Sequence, residues 1–189
     1  MEILQENPDF LVLIKPVGVE SETGVAQILE KPLYPVHRLD MNVGGVMVYA
    51  KTPQAAAELS RLIAQGQMVK EYVAAVHGQV PPSGDWTDLL FKDSRRNKVF
   101  VVDKKRTGVK EARLEFTRLT DADPARVRIR LHTGRSHQIR VQFASRGFPL
   151  VGDRKYGARD KESAPMLFSC CITFPWKGEI LRFEAMPPW

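Results

Sequence analysis

The chain has 189 residues, 43% of them apolar, enough for one globular domain with its own core and incompatible with wholesale disorder. Its 28 Lys and Arg outnumber 22 Asp and Glu, giving a net charge of +6 that suits a polyanionic partner without demanding one. No apolar run approaches the roughly 20 residues that span a bilayer, and the two cysteines, Cys170 and Cys171, sit side by side in an apolar run, so neither a membrane segment nor a disulfide framework is expected and the cytoplasm is the default compartment.

In chain order, Ile3–Gln5 and Phe10–Ile14 read as a hairpin with Glu6–Asp9 at its tip, followed by a Lys15-Pro16-Val17-Gly18 turn. Val46–Ala50 is a strand that runs into a helix with Thr52 as N-cap, Pro53 in first position and Gly66 as its end. Ala55, Leu59, Leu62 and Ile63 give that helix its apolar stripe. Val69–His77 is a strand and Pro81–Gly84 a loop. Ala112, Leu114 and Phe116 alternate with polar residues, as do Val127, Ile129 and Leu131, so each segment is a strand with one buried face. Thr133-Gly134-Arg135 turns into a second helix, with Ile139 and Phe143 on one face and Gly147 as cap; Leu167–Phe174 and Ile180–Ala185 are the last strands. Strands outnumber helices without regular βαβ alternation, which predicts an α+β fold with a largely antiparallel sheet.

Two segments concentrate chemistry. The first is His37-Arg38-Leu39-Asp40, followed by Met41-Asn42-Val43-Gly44-Gly45; the second is Thr133-Gly134-Arg135-Ser136-His137-Gln138-Ile139-Arg140. Each has an ordinary structural reading, a salt-bridged loop tip for the first and an amphipathic helix with a basic face for the second. No HExxH, Cys–His metal spacing, carboxylate cluster, Walker loop or dinucleotide fingerprint is present. An enzyme built on this sequence is expected to use one carboxylate among arginines, with no metal and no cofactor.

HRLD before a glycine turn and an apolar strand, with TGRxHQIR far downstream, resembles the RluA-type RNA pseudouridine synthases. Lys15-Pro16-Val17-Gly18, Lys70-Glu71-Tyr72-Val73-Ala74 and Pro149-Leu150-Val151-Gly152-Asp153 with Tyr156-Gly157 resemble three further motifs of that family, in the family's order. The resemblance covers almost the whole chain. It implies a mixed sheet with flanking helices and a basic catalytic cleft, in a single catalytic domain over residues 1–189 with no separate RNA-binding domain.

The resemblance also implies roles. Asp40 is the catalytic carboxylate that attacks the target nucleotide or draws a proton from its ribose; uracil detaches at N1, turns and rejoins through C5. Arg38 fills the gap left by a flipped uridine, Tyr72 lies against the uracil face, and Arg140 is the ionic partner of Asp40, with Arg135 a rival for that place. These roles make chemical sense, since a stacked uridine must be flipped to be reached and a desolvated carboxylate needs a fixed cation to stay ionised. RNA contacts are assigned to His37, Arg38, Arg135 and to Arg95, Arg96 and Lys98 in a basic stretch, Asp93–Arg106, that reads as a mobile loop. Val43-Gly44-Gly45 stands where the family commonly has Thr-Ser-Gly, so two hydroxyls that would hold the catalytic loop are absent, and the stretch from Gly18 to Pro35 is short. The expected partner is ribosomal or transfer RNA, met by a monomer. Competing readings are an RNA-holding protein without chemistry and a ribonuclease using His37, His132 and His137.

Overall fold

Strands and helices follow in the order β1 (Glu2–Glu6), β2 (Phe10–Lys15), α1 (Gly24–Leu29), β3 (Tyr34–Pro35), β4 (Gly44–Ala50), α2 (Pro53–Ala64), β5 (Val69–Val76), β6 (Ser83–Asp93), β7 (Lys98–Val102), β8 (Val109–Arg118), β9 (Ala125–Leu131) and α3 (Gln138–Ala144), then a 3-10 turn at Arg154–Tyr156, β10 (Leu167–Trp176) and β11 (Glu179–Glu184). The computed structural model describes residues 1–189. The chain divides into two compact units, Met1–Glu71 with Phe168–Trp189, and Tyr72–Leu167. No helix is long and apolar enough to cross a membrane.

In the first unit β4 is central. β2 pairs antiparallel along one edge, from Phe10 opposite Ala50 to Lys15 opposite Gly45, and β1 extends the sheet antiparallel to β2. On the other edge β3 meets the end of β4 antiparallel, while β10 meets its start in parallel, Phe168 opposite Gly44 and Ser169 opposite Gly45. β11 lies antiparallel to β10. One parallel pair among antiparallel ones gives the mixed, largely antiparallel sheet of the expected α+β class.

Every residue of β4 is buried, so both of its faces are covered. Val46, Val48 and Ala50 point into a core with Phe10, Val12, Ile172, Phe174 and the α2 residues Ala55, Leu59 and Leu62. Met47 and Tyr49, one residue out of phase, are buried on the opposite face. The start of α2 is as the sequence indicates, with Thr52 Oγ1 accepting the Ala55 N–H at 3.1 Å. Cys170 and Cys171 are buried on β10 and form no disulfide, and strand alternation sends them to opposite faces.

The second unit orders its strands β5-β9-β8-β6-β7. α3 packs on β6 and β8 through Phe143, whose ring lies 4.8 Å from Trp86 and 5.2 Å from Phe116. Here the sequence expectations need correction. Asp93–Arg106 is not a loop throughout: β6 ends at Asp93, β7 occupies Lys98–Val102, and Asp93 Oδ1 accepts the Arg95 and Arg96 N–H groups to make the turn between them. β6 itself escapes a periodicity reading because charged Asp88 and Lys92 share a face with Trp86 and Leu90, and α1 escapes because Val25 is its single buried residue. α3 starts at Gln138, so Arg135 belongs to the turn before it.

Gly45 has φ +128°, and a Cβ there would run into the backbone of Ser169 on the parallel neighbour β10. Gly66, at φ +69° after α2, has open space around the same position. Gly66→Ala is therefore expected to cost about 1 kcal/mol, the left-handed backbone term alone, and Gly45→Ala clearly more. Urea unfolding midpoints of the two variants measure the difference; equal losses would contradict it.

Candidate active site

The Asp40 segment is fastened on both sides of the aspartate. Ser21 Oγ donates to the Leu39 carbonyl at 2.9 Å and accepts the Leu39 N–H at 3.1 Å, a reciprocal pair inside the protein. Ser21 is 2% exposed and is itself fixed by Tyr49, whose hydroxyl donates to the Ser21 carbonyl at 3.0 Å. After the aspartate, the Met41 carbonyl accepts the Gly18 N–H at 2.8 Å, and the Asp40 carbonyl accepts the Val43 N–H at 2.9 Å to close a turn. The hydroxyl that holds this loop is that of Ser21, a residue that sequence reasoning passed over.

Beneath this loop lies Lys15, fully buried at the end of β2. Its ammonium donates to the carbonyls of Val19 at 2.7 Å, Pro16 at 2.9 Å and Met41 at 3.5 Å. Burial pulls its pKa down to about 8, and the nearby charges of Asp40 and then Glu20 oppose the shift. Asp40 is partly buried. Arg38 turns outward with its side chain 61% exposed, and its guanidinium meets Glu22 at 3.0 Å, a surface pair of small energetic weight.

His37 is held differently. Its Nε2 accepts the Val48 N–H at 3.2 Å, which leaves the ring proton on Nδ1, a buried atom without a hydrogen-bond partner. Loss of hydration pulls its pKa down to about 3, and the charge of Lys70 adds to the shift. At neutral pH this ring carries no charge.

In the second unit the Thr133–Arg140 segment is organised by Gln138. Its Oε1 accepts the Arg135 N–H at 3.0 Å and the Thr133 hydroxyl at 2.8 Å, and its Nε2 donates to the Arg113 carbonyl at 3.0 Å. One of the backbone donors that a turn into a helix could offer an anion is therefore already used. Arg140, 6% exposed, forms a two-point ion pair with Asp153, Nε to Oδ2 at 2.6 Å and Nη2 to Oδ1 at 2.8 Å, and its guanidinium carbon lies 5.2 Å from the Tyr156 ring. Asp153 is 1% exposed. The PLxGD and TGRxHQIR segments are thus joined by this pair, which neither motif announces by itself.

Arg135 Nε donates to the Glu111 carbonyl at 2.9 Å. Tyr72 is buried. Arg95 and Arg96 form the β6–β7 turn, Arg96 lying 3.6 Å from Asp93, and the Lys98 ammonium sits 5.3 Å from the centre of the Tyr156 ring. The remaining histidines of the ribonuclease reading have structural partners, His132 with Glu115 at 2.9 Å and His137 with the Tyr156 hydroxyl at 2.8 Å. The candidate residues thus fall in two groups, His37, Arg38 and Asp40 in the first unit and Tyr72, Arg95, Arg96, Lys98, Arg135 and Arg140 in the second.

A model of the family described as RNA pseudouridylate synthase matches residues 9–145, a span that includes both groups. The chain belongs to that family. This pseudouridine synthase is 33% identical over 201 aligned residues to the dual-specificity RNA pseudouridine synthase RluA of Escherichia coli (strain K12), an alignment covering 97% of this chain and 91% of that protein. It is 33% identical over 177 aligned residues to the ribosomal large subunit pseudouridine synthase D of Pseudomonas aeruginosa, covering 84% of this chain and 54% of that one. The human RNA pseudouridylate synthase domain containing 1 structure shares its fold, with a TM-score of 0.83 over 99% of this chain and 83% of that one at 23% identity. The RluA-type assignment holds, and with it an isomerase acting on RNA.

Two predictions follow from the first unit of this synthase. Ser21→Ala leaves the buried Leu39 backbone groups without partners, at a cost of about 1–3 kcal/mol. With the loop loosened, kcat should fall on the order of ten-fold while RNA affinity holds; an unchanged kcat in a folded variant would show that Ser21 does not position the loop. His37 has a folded pKa below its unfolded value near 6.5, so the folded state resists taking the proton and stability is lost as pH falls from about 6.5 toward 3. Between pH 7 and 5 the wild type should lose about 1–2 kcal/mol more than His37→Gln, which keeps an acceptor and does not titrate. Parallel stability curves for the two proteins would refute the assignment.

Proposed function

We propose that the chain isomerises uridines of ribosomal or transfer RNA, with Asp40 as the carboxylate that opens the glycosidic bond. The observation that carries this reading is the two-sided fastening of the Asp40 loop, by Ser21 at Leu39 and by Gly18 and Lys15 at Met41. A carboxylate that must meet one atom of a flipped nucleotide gains most from a backbone that does not move. The Pseudomonas relative, named a ribosomal large subunit synthase, supports ribosomal RNA as a substrate, and the Escherichia coli relative, named a dual-specificity RNA synthase, supports more than one RNA target.

In this reading Arg140 is the fixed cation that keeps Asp40 ionised, held in place by Asp153, and Tyr72 offers its ring to the uracil. Arg38 has the exposure and the planar cationic head needed to fill the vacancy in the RNA stack. Arg135, Arg95, Arg96 and Lys98 bind the backbone, while neutral His37 braces the loop on β4 instead of carrying charge to the RNA. No step in this scheme calls for a metal or an organic cofactor.

Asp40→Asn should reduce pseudouridine formation to background and leave RNA affinity within a few-fold, because a nucleophile is lost with little binding surface. Tritium release from RNA labelled at uridine C5, run beside filter binding, reads both quantities. Turnover well above background would assign the step to another residue.

A further inference from the structure

In the second unit, the face of the sheet under α3 outlasts the helix. Trp86, Asp88, Leu90 and Lys92 alternate onto that face of β6, and Phe116, Leu114, Ala112 and Lys110 onto that of β8. α3 covers it with Phe143, which packs on Trp86 and Phe116, with Gln142, which donates to the carbonyls of Trp86 and Ala112, and with Val141, which shares a core cluster with Leu90, Val99 and Ala112. The helix is seven residues long and starts at Gln138, so toward Lys92 and Lys110 the cover passes to the Gly134–Ser136 turn. A cavity of about 180 Å³ results, lined by the apolar side chains of Leu90 and Val99 and by three cations, Lys92, Lys110 and Arg135.

No carboxylate lines this cavity. Several cations elsewhere in the same unit pair with carboxylates: Arg113 with Asp85 and Glu115, Arg118 with Asp121, Arg146 with Asp88, Arg140 with Asp153. Lys92 and Lys110 pair through their backbones in the sheet, and their exposed ammonium groups meet no carboxylate at the cavity. Arg135 is fixed through Nε by the Glu111 carbonyl, which orients its planar head while its terminal amino groups keep their donors. Three like charges brought to one small cavity by strand register and a turn repel one another, and an anion placed among them relieves that repulsion.

We propose that this cavity is a phosphate subsite that takes one backbone phosphodiester of the substrate RNA. The proposal rests on the RNA-modifying function above. An RNA strand brings phosphates in series, so one group can enter the cavity beside the Arg135 fork while its neighbours meet the flexible lysines. Lys92 and Lys110 then govern how firmly RNA is held and in which register, without touching the reacting base.

The test uses the full chain and a synthetic uridine-containing RNA hairpin labelled with tritium at uridine C5. Lys92→Gln/Lys110→Gln should raise KM at least five-fold and change kcat less than two-fold. Lys104→Gln/Lys105→Gln, an equal charge change off the cavity, should raise KM less than two-fold. One uncharged methylphosphonate linkage in the hairpin should weaken the wild type and have no further effect on the cavity variant. Equal KM changes in the two double variants would reduce the effect to net charge and overturn the proposal. Competition by inorganic phosphate against the wild type but not the cavity variant, with no sensitive linkage in the RNA, would assign the cavity to a free phosphate instead. A wild type that binds RNA but releases no tritium would sink the function, not the subsite, because filter binding of the same variants still reads the cavity.

Discussion

An ammonium can be fully buried only where oxygen atoms replace its water, and that requirement shapes the loop that carries Asp40. Lys15 ends β2, deep in the first unit, and its three N–H donors are met by carbonyls of Pro16, Val19 and Met41. Those carbonyls belong to two segments far apart in the chain, so satisfying one charge forces the turn after β2 and the turn after Leu39 together. Ser21 then adds its reciprocal bonds to Leu39, and Tyr49 on β4 fixes Ser21. A charge left uncompensated at this depth would cost several kcal/mol, so the loop has little freedom to rearrange.

The second unit solves a related problem with a different pair. Arg140 and Asp153 are both almost fully buried, and their two-point contact ties α3 to the segment ahead of the 3-10 turn. Such pairs rarely add much net stability over apolar packing, but losing one partner strands the other. Their value lies in direction: a guanidinium gripped at two nitrogens cannot swing. Gln138 and Gln142 extend the same logic along α3, each satisfying backbone carbonyls or amides of the sheet and turn beside it.

β8, β9 and the helix α2 were legible because each buries one face and exposes another, which writes a period into the sequence, whereas β2 and β4, buried on both faces, were legible as short apolar runs. The Thr52 cap and the Ala55, Leu59 and Leu62 stripe needed nothing else. β6 was illegible because Asp88 and Lys92 interrupt its buried face, Asp88 to receive Gln142 and Arg146 and Lys92 to line the cavity. α1 was illegible because one buried valine makes no pattern. At the candidate site, Asp40, Arg140 and the motifs around them stood out by resemblance, Asp153 only as part of a motif and without its partner Arg140, and Ser21 not at all. Their roles are set by contacts between distant segments, and no local spacing encodes those.

The Ser21–Leu39 bonds have a further meaning for the segment between them. With its two ends clasped, the stretch through α1 and β3 behaves as a closed loop whose length is decoupled from the position of Asp40. Extra residues at the exposed Glu30–Pro32 bend would add only the slowly growing entropy of a longer loop, about 0.6 kcal/mol per doubling. The clasp therefore makes this bend a port: a longer segment could be spliced in there, or trimmed away, while the Asp40 loop keeps its place.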